Sequence, residues 1–361
     1  MMNRITLTAA AVLLAVTGTL AEDKRVHVYN WTDYIDEQIL VEFEAETGIK
    51  VVYDVFDSNR TLEAKLLSGN TGYDVVVPSG GFLARQIQAG LFQPLGKGRL
   101  PNLHHMDETI AAPVRQWDPG NRYAVTYMWG TTGIGFNRSA VAARHPDAPT
   151  GSWRMLFDPA AVAKFADCGV VLLDEPEEVI PAVLNFLGLD PASQDIDVIA
   201  RAEPVLKAIR PHVRGFFNAA QIDQLANGEV CLVMGWSGDV LQARQRASEA
   251  GNDIRIVYAI PDEGAQMWFD MMAIPADAPH PANAHRFIDY LMRPEVIAKA
   301  SNHVFFANGN AAATAHLNPE LLADPGIYPP ASVRDKLYVT QPYPAEVQRF
   351  MAALWSRIKG G

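Results

Sequence analysis

Strands and helices alternate along this chain, and that alternation limits its fold more than any other feature. Short apolar runs predict strands, and amphipathic segments that end at a glycine predict the helices between them. The first unit has predicted strands over 26–29, 51–55 and 73–77, and helices over 36–47 and 59–67. The second unit has predicted strands over 170–173 and 230–234, and helices over 197–209 and 219–227. Because parallel strands need crossover helices, this order predicts an α/β fold with helices on both faces of each sheet.

Two extended segments indicate where the chain passes between the two units. The first runs through residues 127–137, and we place a crossover near Thr131. The second starts at residues 254–258, and we place the return crossover at Pro261. These crossovers divide the chain into two predicted lobes, which are residues 22–131 plus 261–311 and residues 132–260 plus 312–361.

The first 21 residues differ in composition from the rest of the chain. Arg4 is their only charged side chain, and residues 5–16 are almost wholly apolar or small. This pattern predicts a secretory signal peptide; the alternative, a membrane anchor, needs about 20 apolar residues. Its removal leaves 29 basic against 41 acidic residues, so the formal net charge changes from −11 to −12. We therefore expect a soluble exported protein whose acidic surface disfavours nucleic acid or an anionic membrane as partner.

The chain has two cysteines, Cys168 and Cys231. Two cysteines without clustered partners do not form a zinc site, which needs about four ligands. In an exported protein they can form a disulfide, although the spacing alone does not show whether they approach each other. The alternative of two free thiols therefore stays open at this point.

Tryptophan and aspartate recur together where predicted strands end. The pairs are Trp31 with Asp33, Trp236 with Asp239, and Trp268 with Asp270, accompanied by Ser79 and the acidic turn of residues 174–178. One such pair is explained by packing and helix capping, but three pairs and an acidic turn indicate a shared site at one sheet edge. Aromatic walls with carboxylates suit an alkyl chain that carries ammonium groups, through cation–π contacts and charge-assisted hydrogen bonds. An anion would instead require basic side chains or a glycine loop.

Several motifs of this chain resemble those of the periplasmic polyamine-binding proteins of ABC importers, and most of all their putrescine-binding member. They are residues 28–35 (VYNWTDYI), 51–59 (VVYDVFDSN), 127–129 (YMW), 131–135 (TTGIG), 235–240 (GWSGDV) and 326–330 (GIYPP). The resemblance covers essentially the whole mature chain. It implies the two-lobed class II periplasmic binding protein fold, with a mainly parallel sheet in each lobe and two hinge crossovers. It also implies a disulfide between Cys168 and Cys231.

Carried over motif by motif, the resemblance implies a set of ligand-binding residues. They are Trp31, Thr32, Asp33, Tyr34, Ser79, Glu178, Trp236, Asp239, Trp268, Asp270 and Phe306. Glu175 joins them because the spermidine-binding relative carries an acid there.

Four positions depart from the putrescine-binding pattern. Thr32 replaces a serine, Gly81 replaces a second serine, Phe306 replaces a tyrosine, and Glu175 is the additional acid. These changes leave the ligand class intact but leave open which amine is preferred. Putrescine is our first expectation, and spermidine, cadaverine and agmatine are the alternatives.

The leading functional hypothesis is a monomeric periplasmic receptor that delivers a polyamine to a membrane permease, without catalysis, cofactor or metal. A secreted glycoside hydrolase is the rival from another class, because Asp33, Asp239 and Asp270 could supply paired carboxylates. A metal receptor is the third alternative, but His104 and His105 are adjacent in a predicted loop and do not form a cluster.

Overall fold

We analysed a computed structural model of the chain, which describes residues 24–360. The predicted signal peptide, residues 1–21, lies outside the described residues. Within residues 24–360, no helix has the length and apolar character needed to cross a membrane.

Ten strands form the sheet core. They are β1 (Arg25–Trp31), β2 (Lys50–Phe56), β3 (Val75–Val76), β4 (Ala124–Asn137), β5 (Val170–Leu172), β6 (Gly215–Phe216), β7 (Leu232–Trp236), β8 (Ile256–Ala259), β9 (Met267–Ala273) and β10 (Ala307–Asn308).

Helices surround the strands. They are α1 (Glu37–Thr47), α2 (Asn59–Leu67), α3 (Gly80–Gln88), α4 (Glu108–Val114), α5 (Arg138–Arg144), α6 (Arg154–Phe157), α7 (Pro159–Val162), α8 (Pro176–Phe186), α9 (Ile196–Ala200), α10 (Ala202–Ile209), α11 (Gln221–Ala226), α12 (Ser237–Glu249), α13 (Pro281–Leu291), α14 (Pro294–Val304), α15 (Pro319–Ala323), α16 (Ala331–Arg334) and α17 (Ala345–Gly360). Short 3₁₀ helices cover Lys97–Arg99, Pro101–His105, Ala163–Phe165, Arg210–His212 and Ala311–His316.

Local sequence signals define several of these boundaries. Asp36 caps α1 by accepting a hydrogen bond from the Gln38 amide, and Gly48 ends the helix with a left-handed φ of 68°. Ser58 caps α2 in the same way as Asp36 caps α1, through the Thr61 amide. These are the preferred capping residues for the two ends of a helix. The predicted helix over 59–67 is therefore confirmed.

The strand order is β2-β1-β3-β9-β4-β7-β5-β6, and β8 and β10 also pair with β4. The pairs among β1, β2 and β3, and those among β5, β6 and β7, are parallel. The pairs made by β9 and β4 are antiparallel, and they join the two parallel groups. The predicted α/β class is confirmed, with the parallel strands in the outer part of each lobe.

The long strand β4 passes from one lobe to the other. Thr131 pairs with Met267 on β9, whereas the next residue, Thr132, pairs with Trp236 on β7. This change of partner lies at the predicted crossover near Thr131. The C-terminal segment also contacts this region, because Tyr338 pairs with Gln266, the residue that precedes β9.

Two large apolar cores lie on either side of this crossing. The first contains Val28, Phe43 and Phe287, and the second contains Phe165, Leu184 and Trp355. Leu317, Leu321 and Ile327 pack in the first core, although they fall in the segment 312–361 that we assign to the second lobe. The predicted lobe limits stay a prediction, and the packing favours moving residues 312–327 into the first lobe.

The predicted disulfide between Cys168 and Cys231 is present, with the two Cα atoms 5.5 Å apart. It ties the start of β5 to the start of its parallel neighbour β7, where the Cys231 amide also donates to the Gly169 carbonyl. The bridge therefore lies in the second core, on the side of the sheet away from the ends of β1 and β7.

Replacing both cysteines by serine should lower the free energy of unfolding by about 2–4 kcal/mol, because the link closes a long loop in the unfolded chain. The separation of the two residues is 63 positions. Chemical denaturation of the double variant measures this loss, and ligand affinity should stay within about twofold of wild type. Equal stability of the variant and the oxidised wild type would contradict a stabilising role for the bridge.

Candidate functional site

A deep cleft with about 980 Å³ of empty volume, counted out to open solvent, lies between the two lobes. Eleven of the twelve predicted ligand residues line it: Trp31, Thr32, Tyr34, Ser79, Glu175, Glu178, Trp236, Asp239, Trp268, Asp270 and Phe306. Asp33 is the exception. The structure thus brings together strand ends that are more than 200 residues apart in the sequence.

Strand-to-helix junctions place most of these side chains. Strand β1 ends at Trp31, and β7 ends at Trp236, where helix α12 begins at once with Ser237. Helices α3 and α8 also begin at the cleft, directly after Ser79 and Glu175. The carboxyl ends of parallel strands meet at one sheet edge, which explains why a crevice forms there.

Aromatic rings from both lobes form the walls of the cleft. The rings of Trp31 and Trp236, one from each lobe, lie edge to face with centroids 6.1 Å apart. Phe306 packs against Trp268 at 5.2 Å and against Tyr34 at 5.3 Å. Trp31 is fixed by a hydrogen bond from its indole nitrogen to the Val77 carbonyl, at 2.9 Å. These rings present faces and edges suited to an alkyl chain or a cation.

Two glycines allow the rings to pack so closely against the main chain. A Cβ atom on Gly130 would lie 2.6 Å from the Trp268 ring, and one on Gly238 would lie 2.5 Å from the Phe306 ring. Any larger residue at either position would displace an aromatic wall. Gly130 and Gly238 therefore shape the cleft without carrying a functional group.

Asp270 is a buried carboxylate held by two neutral donors. Ser79 Oγ donates to Asp270 Oδ1 at 2.6 Å, and the Tyr34 hydroxyl donates to Oδ2 at 2.7 Å. Burial raises the pKa of Asp270 to about 6, while the two hydrogen bonds act in the opposite direction because they favour the charged form. Asp270 is thus mostly ionised at neutral pH.

Glu178 accepts hydrogen bonds from the two segments that cross between the lobes, here called the crossing segments: β4 and the residues just before β9. The Thr132 hydroxyl donates to Glu178 Oε2 at 2.6 Å, and Gln266 Nε2 donates to Oε1 at 3.2 Å. Burial, together with the neighbouring acid Glu175, raises the pKa of Glu178 to about 8, although the hydrogen bond from Thr132 opposes the increase. The carboxylate therefore sits where the two lobes join, oriented by one donor from each crossing segment.

Asp239 has no hydrogen-bond or ion-pair partner among residues 24–360. It is half-buried, in the first turn of α12. Burial raises the pKa of its carboxyl to about 8, and the nearby Asp33 carboxylate acts in the same direction. A carboxyl that is desolvated and unpaired costs free energy whenever it is charged, and an added cation would remove that cost.

Two further acids at the start of α8, Glu175 and Glu177, are paired across the cleft. Arg60 Nη1 lies 3.1 Å from Glu175 Oε2, and Arg85 Nη1 lies 3.6 Å from Glu177 Oε1. Burial raises the pKa of Glu175 to about 7, and the Arg60 charge opposes this increase. Both arginines belong to the first lobe, so these pairs connect the lobes as well as neutralise the acids.

Asp33 is turned away from the cleft. It adopts a left-handed backbone with φ of 53°, and its carboxylate lies 3.0 Å from Arg246 Nη2 on α12. Arg246 also pairs with Asp223 at 2.7 Å. The structure therefore places Asp33 in an ion pair between the lobes, next to Asp239 but outside the lining of the cleft.

The polar residues of the site that the sequence reasoning missed include Asn59, Thr132 and Gln266. Asn59 follows the helix-capping Ser58, so its sequence context indicates only a helix start. Thr132 and Gln266 lie on the crossing segments, and no local pattern marks them as partners of Glu178. The only available signal was their place next to the predicted crossovers.

The cleft is strongly acidic. Six of its lining residues are carboxylic acids, and none of the described lining residues is a lysine, arginine or histidine. The six acids are Asp57, Glu175, Glu177, Glu178, Asp239 and Asp270. Such a cleft can bind a cation with an apolar body, and it offers no basic side chain to an anion.

Two α/β lobes that share crossing strands and enclose a cleft define a solute-binding protein. The family model for bacterial extracellular solute-binding proteins matches residues 38–329. The chain belongs to that family.

Relatives of known function align with nearly the whole chain. The putrescine-binding periplasmic protein PotF of Escherichia coli (strain K12) is 47% identical over 98% of this chain and 97% of its own. The putrescine-binding periplasmic protein SpuD of Pseudomonas aeruginosa is also 47% identical, over the full length of both chains. The structure of the spermidine/putrescine substrate-binding protein PotD of Streptococcus pneumoniae superposes with a TM-score of 0.77 at 26% identity, covering 93% of this chain and 98% of that one. The chain thus has the two-lobed periplasmic binding protein fold, as predicted.

Proposed function

We propose that this protein is a periplasmic receptor that binds a polyamine, most favourably putrescine, between its lobes and delivers it to an ABC importer. Two relatives that are each 47% identical to it are putrescine-binding periplasmic proteins. The predicted signal peptide supports a periplasmic location. We further propose that the receptor is a monomer whose ligand-closed form is recognised by the permease, since ligand contacts from both lobes would favour closure.

The observation that carries this proposal is the unpaired carboxyl of Asp239 in an aromatic cleft that lacks basic lining residues. Asp270 and Glu178, two further acids that line the cleft, accept hydrogen bonds only from neutral donors. Each of the three would gain a charge-assisted hydrogen bond from an ammonium group. A diamine supplies two ammonium groups and a methylene chain that can pack against the aromatic walls of the cleft.

The structure also bears on which amine is preferred. Glu175, the additional acid, already pairs with Arg60 and accepts from Asn218 Nδ2 at 3.1 Å, so it is less available to a third ammonium group. Gly81 has open space on its side-chain face, with no atom within 4 Å of an added Cβ. We therefore propose putrescine as the main ligand, with spermidine as the alternative that this open space would favour; cadaverine and agmatine complete the set to be tested.

A catalytic role is not part of the proposal. The glycoside hydrolase alternative has no support from the relatives reported above, which are putrescine-binding proteins. The family and its relatives are binding proteins. We propose that the cleft binds and releases its ligand unchanged.

A thermal-shift screen of diamines and polyamines tests the proposal. At a ligand concentration 100 times the dissociation constant, binding stabilises the folded state by about 2.7 kcal/mol, which corresponds to about 4 °C for a chain of this size. We expect the largest increase with putrescine, and a much smaller one with 1-aminobutane, which has one ammonium group. Sodium chloride at matched ionic strength is the control. No stabilisation by any amine of the panel would contradict the proposed function.

A further inference from the structure

The side chain of Asn59 forms hydrogen bonds with both the main-chain amide and the hydroxyl group of Ser79. Asn59 Oδ1 accepts a hydrogen bond from the Ser79 amide at 3.0 Å, and Asn59 Nδ2 donates to Ser79 Oγ at 3.0 Å. Asn59 is buried at the first position of α2. Because one bond uses the amide oxygen and the other the amide nitrogen, only one orientation of the Asn59 side chain satisfies both.

This contact determines how the Ser79 hydroxyl can bond. A serine hydroxyl has a single hydrogen, and Asn59 already donates to its oxygen. The hydrogen of Ser79 is therefore left to donate to Asp270 Oδ1, 2.6 Å away. A serine that precedes a helix commonly accepts a hydrogen bond from the first turn, yet Ser79 makes no such bond to α3. The Ser79 side chain therefore donates to the Asp270 carboxylate and does not cap helix α3.

We propose that Asn59 is a positioning residue for ligand binding, which orients Ser79 so that Asp270 presents a fixed and ionised carboxylate to the ligand. The proposal rests on the proposed function, since it concerns the affinity of the same cleft for a cationic amine. Asn59 lines the cleft, but both ends of its amide are used by Ser79, so it acts through Ser79.

The groups around Asp270 explain why a neutral donor matters there. Tyr34 donates to the second carboxylate oxygen, and the buried Tyr127 hydroxyl donates to the Tyr34 carbonyl at 2.7 Å. Asp239 and Glu178, which interact electrostatically with Asp270, are both acids. Since no described lining residue is basic, neutral hydrogen bonds must offset the burial that raises the pKa of Asp270. Loss of one donor should raise this pKa further.

The variant Asn59→Asp separates two effects: the loss of the hydrogen bond that orients Ser79, and the attraction of the amine by an added negative charge. The new carboxylate keeps the acceptor for the Ser79 amide but cannot donate to Ser79 Oγ, so the hydroxyl turns its hydrogen from Asp270 towards residue 59. An extra negative charge near the cleft would by itself attract an amine. Calorimetry at pH 7 should show a dissociation constant for putrescine about tenfold higher in Asn59→Asp, and about 3- to 10-fold higher in Asn59→Ala.

Two further measurements separate positioning from a general loss of stability. The weakening caused by Asn59→Ala should be greatest near pH 6 and should shrink by pH 8, because Asp270 ionises at higher pH in the variant. On a Ser79→Ala background, Asn59→Ala should add less than a twofold effect. Asn102→Ala is the matched control, since Asn102 binds Asp289 in the same lobe through its side chain, and neither residue lines the cleft. That variant should leave the pH profile unchanged.

Tighter or unchanged putrescine binding in Asn59→Asp would overturn the proposal. So would a full additional effect of Asn59→Ala on the Ser79→Ala background. If the wild-type protein binds no polyamine, the proposed function fails, and a carboxyl ¹³C titration of ligand-free protein then tests Asn59 alone. The Asp270 resonance should titrate at higher pH in Asn59→Ala, and an unchanged midpoint would overturn the proposal.

Discussion

The variant Asp239→Asn should bind putrescine about 30- to 1,000-fold more weakly than wild type. Truncating one partner of a buried charge pair costs about 2–4 kcal/mol, because the other charge is left without its counter-ion. The substitution keeps the shape of the side chain and removes only the charge. Isothermal titration calorimetry at pH 8, close to the pKa of the wild-type carboxyl, measures the loss directly.

The same variant should be more stable than wild type when no ligand is present. The folded pKa of Asp239 lies near 8, well above the ordinary value near 4, so the folded protein binds this proton more tightly than the unfolded chain. Its ionisation therefore destabilises the fold increasingly as the pH rises from about 4 to 8. A neutral amide avoids that penalty, and the melting temperature of the ligand-free variant at pH 8 should increase.

Asp253→Asn is the matched control, because Asp253 is exposed on the same lobe and does not line the cleft. It should change neither the affinity nor the melting temperature. Wild-type affinity in Asp239→Asn would contradict the assignment of Asp239 to the ligand site.

Putrescine affinity should rise about 50- to 2,500-fold between pH 6 and pH 8, the range expected when one or two carboxyls of pKa about 8 must ionise for binding. The pKa values of Glu178 and Asp239 are about 8 in the ligand-free cleft, so both are largely protonated at pH 6. An ammonium group favours the ionised carboxyls, and binding must therefore release protons below pH 8. The ammonium groups of the ligand, which resemble that of lysine with a pKa of about 10, stay largely charged throughout this range.

Calorimetry in two buffers of different ionisation enthalpy measures the protons released. At pH 7 we expect between about one and two protons per putrescine bound, and about one fewer in Asp239→Asn. A dissociation constant that does not change between pH 6 and 8, with no proton release, would show that these carboxyls are already ionised or do not meet the ligand.

The fold and most of the candidate site follow from local sequence patterns. Trp31 and Trp236 each end a β-strand, and parallel strand ends share an edge, so their meeting could be predicted without knowing the packing. Helix α12 was missed because its first turn, Ser237-Gly238-Asp239, has the composition of a loop. Its glycine is required by the Phe306 ring, a contact between segments about 70 residues apart.

The position of Asp33 could not be predicted for a similar reason. Its orientation depends on a left-handed backbone and on Arg246, more than 200 residues away. The partners of Glu178, Thr132 and Gln266, are likewise set by the way the crossing segments pair. Sequence patterns show which side chains reach the sheet edge, whereas long-range packing decides which of them point into the cleft.

Titration of the wild-type protein with putrescine and with 1-aminobutane is the most direct test of a diamine receptor. We predict one putrescine bound per chain at pH 8, with a dissociation constant at least 100-fold lower than that for 1-aminobutane, because the monoamine leaves one carboxylate end of the cleft unpaired. Absence of binding, or equal affinities for the two amines, would contradict the account.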